Sequence, residues 1–281
     1  MDIASFQLAV SWNDLAILAG ATFGAGLLAG VIAGLLGVGG GIVVVPVLFQ
    51  VFTLLEIDPA VRMHLAVGTS LATIVPTGLR SALAHRKRGA VDTALLKSWG
   101  VPVLLGVLLG SALSGIVSGD VLSGVFAVVA LAVAAYMALI RASWRLGSAL
   151  PGAPWRHGIA GAIGTLSSMM GIGGGTLSVP LLSLYSYPIR YAVGTASAIG
   201  LIIAVPGSLG FAAAGWDADG LPPLSLGYVN LVAFLVLTPA TVLAAPWGAK
   251  LAHTIPPRAL RLAFAGFLFL TSLRMFAGIM E

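Results

Sequence analysis

The apolar positions of this chain form long unbroken runs and do not alternate with polar ones. The runs 15–36, 101–117, 122–140 and 226–248 fall within the roughly 17 to 25 residues with which a helix crosses a bilayer. Two of the longest apolar regions are interrupted by clusters of helix breakers. Gly37-Val38-Gly39-Gly40-Gly41 leads into Ile42-Val43-Val44-Val45-Pro46, and Gly171-Ile172-Gly173-Gly174-Gly175 leads into Thr176-Leu177-Ser178-Val179-Pro180. Downstream, each cluster is followed by the same string, Ala66-Val67-Gly68-Thr69 in the first half and Ala192-Val193-Gly194-Thr195 in the second. A repeated helix break at membrane depth marks a transporter site built where two halves meet. The pattern predicts an all-α polytopic membrane protein of two repeats, 1–145 and 146–281. Each repeat opens with a broken-helix hairpin tipped by glycine, over 15–55 and 157–185. Three spans follow each hairpin, at about 59–84, 97–117 and 121–140, then at about 188–214, 226–251 and 257–280. Three crossings per half is an odd number, so the halves are expected to be inverted relative to one another.

The charges separate on this plan. One face receives Arg86, Lys87, Arg88, Lys97, Arg141, Arg145, Arg156, Arg190, Lys250, Arg258 and Arg261, with Asp92 its one acid. The other receives Asp2, Asp14, Glu56, Asp58, Asp120, Asp217, Asp219 and Glu281, with Arg62 its one clear base. Treating each hairpin as a single crossing would mix the two sets. The excess of Lys and Arg belongs to the cytoplasmic side, so both termini are expected outside. Asp58-Pro59 and Tyr187-Pro188 place proline at the start of a span. From Pro59 to Thr69 is ten residues, about 15 Å of helix. Thr69 and Thr195 are therefore expected near the midplane, level with the glycine tips.

Composition adds the class. Of the 281 residues 59% are hydrophobic and only 8% charged, against about 25% charged in a soluble domain. Mean hydropathy is +1.06. The net charge of +5 is read as loop anchoring at the membrane, not as a nucleic-acid surface. There is no cysteine, which excludes disulfide and thiol chemistry. No Lys or Arg precedes the first apolar run, which argues against a cleaved secretory signal. The histidines lie near span ends without metal-ligand spacing, and no carboxylate lies deep in a predicted span. Ser114-Gly115 has no deep histidine to partner it as a nucleophile. Neither an enzyme, a metal, a cofactor nor a carboxylate proton relay is expected.

The candidate chemistry gathers at the tips. Unwound backbone inside a membrane must be buried or line a wet cavity. Glycine reaches positive φ there and lets a ligand approach the main chain. The helices leaving the tips would aim unpaired N–H groups and a partial positive charge at the midplane, a setting for a small anion. The predicted binding residues are Gly39, Gly40, Gly41, Thr69, Ser70, Thr73 and Arg80 from the first half, with Gly173, Gly174, Gly175, Thr176, Thr195 and Ser197 from the second. Hydroxyls of these residues, and of Ser167, Ser168 and Ser178, are expected to donate to oxyanions. Arg80 follows Thr69, Thr73 and Thr77 at spacings of 4, 4 and 3, one face of a helix. It is read either as an anion attractor or as a snorkelling anchor. The stripes Gly26-x3-Gly30-x3-Gly34 and Gly106-x3-Gly110 are read as close helix packing.

The doubled Gly-x-Gly-Gly-Gly-x4-Pro motif with its Ala-Val-Gly-Thr strings resembles the TauE/SafE sulfite exporter family, over nearly the whole chain. The resemblance implies a multi-pass transporter in the bacterial cytoplasmic membrane. It further implies a small sulfur-containing oxyanion, sulfite or an organosulfonate such as sulfoacetate, moved most naturally outward. A small-anion channel and a carrier for an uncharged sulfur metabolite are the alternatives. In the second copy Ala196 stands where the first has Ser70, so the site is not fully symmetric. The partners expected are the lipid bilayer and the small anion, with no nucleic acid; oligomeric state is not predicted.

Overall fold

Residues 12–36, 40–139, 144–252 and 254–280 are described by the computed structural model. Gly37 and Gly39 of the first cluster, Arg141, His253 and the chain ends lie outside them. The described residues form ten helices and one short hairpin. The first half contributes α1 (Trp12–Leu36), α2 (Gly41–Leu54), α3 (Pro59–Lys87), α4 (Thr93–Ser114) and α5 (Gly119–Leu139). The second contributes α6 (Ala153–Met169), α7 (Gly175–Leu184), α8 (Ile189–Ala214), the pair β1 (Ser225–Leu226) and β2 (Val229–Asn230), α9 (Leu231–Ala252) and α10 (Pro257–Met280). The chain is thus an all-α polytopic protein. The helix starts have local causes. Asp58 accepts the Ala60 N–H at 2.9 Å, with Pro59 as the first helical residue, and Asp92 accepts the N–H groups of Ala94 and Leu95 at 2.8 and 3.0 Å. Such caps satisfy amides that the helix itself cannot.

Five helical stretches are long and apolar enough to cross a membrane: α4, α5, α8, and most of α9 and α10. The 29-residue α3 is the instructive departure. It is too polar to face lipid, and it does not need to. From Val61 to Ile74 its residues are buried among neighbours, apart from half-buried Arg62 and Ala72. A helix encased in protein can carry hydroxyls and charge that lipid would reject.

Lipid tails are as apolar as leucine, so membrane helices associate through close packing and not through burial from water. The glycine stripes serve that purpose. A Cβ on Gly26 would lie 2.8 Å from the Ala240 Cβ, and one on Gly30 2.6 Å from the Thr241 carbonyl, seating α1 along α9. A Cβ on Gly106 would lie 2.1 Å from the Gly161 carbonyl, and one on Gly110 2.1 Å from the Ser168 Oγ, seating α4 along α6. Both pairs run parallel. By contrast α3 and α8 are antiparallel, with Gly68 against Phe211, Leu71 against Gly207 and Gly78 against Leu201. So are α5 and α10, joined by Ser272 Oγ donating to the Ala127 carbonyl at 2.7 Å and by Arg261 donating to the Tyr136 carbonyl at 3.0 Å. Exchanging each first-half helix for its counterpart, α1 for α6 through α5 for α10, maps the α1–α9 contact onto α6–α4. It maps the α3–α8 and α5–α10 contacts onto themselves.

Candidate functional site

The two helix breaks meet. Helix α2 starts behind Gly40, whose φ of 77° no L side chain adopts comfortably, and α7 starts behind Gly174. Neither start has a side-chain cap. The first amides of both helices are therefore left for solvent or a ligand. A Cβ on Gly41 would lie 3.0 Å from both the Gly171 carbonyl and the Ile172 Cα, so only glycine lets the tips touch main chain to main chain. The positive φ expected at both tips takes a different form in the second. There Gly174 has an ordinary φ of −59°, and Gly171 takes the left-handed turn at 67°. Gly174 is glycine for space instead: a Cβ would fall 2.7 Å from the Ala196 carbonyl and 2.9 Å from the Gly200 nitrogen. Ser70 pins this second tip to α3 by donating to the Gly171 carbonyl at 2.7 Å.

A cavity of about 720 Å³ opens from the tips. Gly40, Gly41 and Gly173 to Gly175 form its floor, and Thr73, Thr77, Arg80, Ser81 and His85 line it along α3. Val193, Ser197 and Gly200 face it from α8, and Thr241 and Val242 from α9. A second cavity of about 580 Å³ shares His85, Ile189 and Val193 and adds Arg88 and Arg190, both exposed. The space therefore leads from the tips towards the face that carries the basic loops. Its described lining includes Arg80, Arg88 and Arg190 and no Asp or Glu. On the opposite side of the tips, α3 from Met63 to Leu71 and α8 at Ile203, Gly207, Phe211 and Ala212 are buried.

Of the predicted binding residues, Gly40, Gly41, Thr73, Arg80, Gly173, Gly174, Gly175 and Ser197 are brought together on this cavity. Thr69, Ser70, Thr176 and Thr195 stand behind its wall, and Gly39 is outside the described residues. The repeated Ala-Val-Gly-Thr string has a structural account. Thr69 Oγ1 accepts the Asn230 N–H at 3.0 Å, and Thr195 Oγ1 accepts the Asp92 N–H at 2.8 Å. Asn230 and Asp92 are the residues just before α9 and α4. The preceding glycines make room for the same segments. A Cβ on Gly68 would lie 2.3 Å from the Tyr228 carbonyl, and one on Gly194 2.1 Å from the Ala90 carbonyl. Each Gly-Thr pair thus latches the first span of one half to the start of the second span of the other.

Four of the five hydroxyls among the described lining residues, all but that of Ser81, point their protons away from the cavity. Thr73 donates to the Ser70 carbonyl at 2.7 Å, Thr77 to the Thr73 carbonyl at 2.9 Å, Ser197 to the Gly194 carbonyl at 2.7 Å and Thr241 to the Thr238 carbonyl at 2.9 Å. A hydroxyl has one proton, and back-bonding to the helix uses it. These groups offer the cavity acceptor lone pairs, which corrects the expectation that they donate to an oxyanion. Donors come from the tip amides and from Arg80, with Ser81 and His85 also on the wall. Ser167, Thr176 and Ser178 are buried beside the second tip with no hydrogen-bond partner.

Thr77, Ser81, His85 and Thr241 were not among the predicted binding residues. Thr77 was visible in the α3 stripe. Thr241 belongs to the other half, and only tertiary packing brings it here. At the basic face, Tyr187 donates to Asp92, and that bond, ahead of the Leu95 amide, holds the Asp92 carboxyl below its usual range. Burial and the Asp92 partner push the Tyr187 phenol up. On the opposite side His64 Nε2 bonds the carbonyls of Ser114 and Val117 at 3.1 and 3.2 Å and stacks on Tyr228, tying α3 to the end of α4.

Broken helices meeting at an arginine-lined cavity within a bundle of apolar spans define a multi-pass membrane protein of the transporter class. The family comparison is specific: the model of the sulfite exporter TauE/SafE family matches residues 22–275. The chain belongs to that family. It is similar to a probable membrane transporter protein of Haemophilus influenzae, 33% identical over 253 residues, covering 89% of this chain and 95% of the relative. The probable membrane transporter protein YunE of Bacillus subtilis is 26% identical over 245 residues, covering 80% of this chain and 85% of the relative. A probable membrane transporter protein of Methanocaldococcus jannaschii is 27% identical over 262 residues, covering 89% and 92%. No solved structure matches.

Proposed function

We propose that this protein carries a small sulfur-containing oxyanion, sulfite or an organosulfonate, out of the cell, binding it where the two glycine tips converge. The observation that supports this most is the electrostatic make-up of the cavity. Two uncapped helix starts and Arg80 face one space whose described lining holds no carboxylate. Helix starts favour anions through unpaired N–H groups and about half a positive charge each.

In this reading the halves are inverted repeats, the basic loops lie in the cytoplasm and both termini lie outside. The antiparallel α3–α8 and α5–α10 contacts and the exchange pattern support the inversion. The cavity then faces the cytoplasm and the buried outer halves of α3 and α8 close the other side. That closure favours a carrier over an open channel. With no carboxylate among the described lining residues to move a proton, the membrane potential drives exit. A potential of 100 mV, negative inside, favours the loss of each negative charge by about 2.3 kcal/mol.

The test is anion efflux from proteoliposomes clamped with valinomycin and potassium, at equal pH and without sodium. Efflux that follows the sign of the potential is expected. Flux that ignores the potential and answers a pH step would overturn the electrogenic mechanism.

A further inference from the structure

We propose that the favoured ligand is a monoanion that also carries a neutral O–H donor, and that a fully deprotonated or donor-free anion of the same size binds more weakly. The inference rests on the anion reading above and refines its substrate class.

The cavity is polarised in its hydrogen-bonding capacity. At its floor the main chain of Gly40, Gly41 and Gly173 to Gly175 supplies donors. Thr73, Thr77, Ser197 and Thr241 supply acceptors, because each has its oxygen 2.7 to 2.9 Å from a carbonyl three or four residues back in its own helix. Only the hydroxyl proton can occupy that short gap between two oxygens. The oxygens lie on three different helices, α3, α8 and α9, so this band of acceptors reaches the space from more than one side.

An oxyanion made only of acceptors would seat one end on the amides and leave any oxygen beside Thr73, Ser197 or Thr241 facing a lone pair, since Arg80 and Ser81 lie further along α3. A ligand with an O–H would satisfy the floor with its anionic end and the band with its proton. The donor is neutral because Arg80 is on the wall and no carboxylate is among the described lining residues. An ammonium would meet a like charge without a counter-charge. Two ligand forms share the required chemistry, a singly protonated inorganic oxyanion and a hydroxyalkanesulfonate. They differ in how far the O–H lies from the anionic centre. Thr73 and Thr77 are one turn apart, about 6 Å along the helix, so the band spans both.

The experiment is calorimetric titration of the whole chain in nanodiscs. Propanesulfonate is compared with its terminally hydroxylated derivative, which differs only in the donor, and with its terminally aminated one, which also adds a positive charge; the sulfonate of each stays ionised throughout the working pH range. Methanesulfonate is compared with singly protonated sulfite at mildly acidic pH. The O–H member of at least one pair should bind about tenfold more tightly, the worth of one or two net hydrogen bonds. The pair that responds identifies the ligand form. The aminated derivative should bind no better than the parent. Replacing Thr73→Val together with Ser197→Ala should erase the preference, and Thr73→Ser should retain it. Equal affinities within both pairs, or tightest binding of the aminated derivative, would overturn the inference and leave the anion reading standing. Absence of binding by every anion would remove both.

Discussion

Thr69→Val is the most informative single change, because it separates a structural hydroxyl from a ligand-binding one. Valine has nearly the shape of threonine, so packing around this fully buried residue is kept. What is lost is the acceptor for the Asn230 N–H, itself in a fully buried residue. A buried amide left without a partner costs about 1–3 kcal/mol. For a chain of this size each kcal/mol moves the melting point by about 2–4 °C, so a fall of about 4–8 °C is expected from a loss near 2 kcal/mol. Thr195→Val should cost less, since the Asp92 N–H is only part-buried and water can replace the lost bond. Melting is followed by loss of the monodisperse species on size-exclusion chromatography after heating in detergent, and anion affinity by calorimetry. Both variants should keep their affinity within about twofold, because neither hydroxyl lies on the cavity. An unchanged melting point with lost anion binding would refute the latch and place Thr69 against the ligand.

Arg80→Gln removes an exposed cation from the cavity wall and should weaken anion binding several-fold while leaving the melting point within about 1 °C. Its residual affinity should depend less on salt than the parent's; an unchanged salt dependence would make Arg80 a snorkelling anchor only. Asp92→Asn tests the basic-face network. The Asp92 carboxyl is held below its usual value of 3.8 by Tyr187 and the Leu95 amide. The stability it contributes is therefore full above that value and fades as pH falls through the lower folded value. The parent's melting point should drop more steeply than that of Asp92→Asn below about pH 4, and parallel slopes would refute the role.

Long apolar runs, a doubled glycine break and the partition of Lys and Arg determine a great deal by themselves. Each is a local property, read over one span or one loop. They suffice for the all-α character of the described residues and for the packing role of Gly26, Gly30, Gly106 and Gly110. They suffice also to pick out Gly40, Gly41, Gly173 to Gly175, Thr73, Arg80 and Ser197, which line one cavity in the fold. What a side chain's proton does is not local. The repeated Thr69 and Thr195 looked like a paired binding site because repetition in sequence marks equivalence, and equivalence holds for a latch as well as for a ligand contact. Only the arrival of Asn230, 161 residues away, and of Asp92, 103 residues away, assigns these threonines to the scaffold. Thr241 reaches the cavity because α9 packs beside the first half, a contact no spacing encodes. Thr73, Thr77, Ser197 and Thr241 become acceptors because the low-dielectric interior makes an unspent O–H expensive and a helix carbonyl is the nearest partner. Tertiary packing thus decides which polar groups are consumed by the fold and which are left for a ligand.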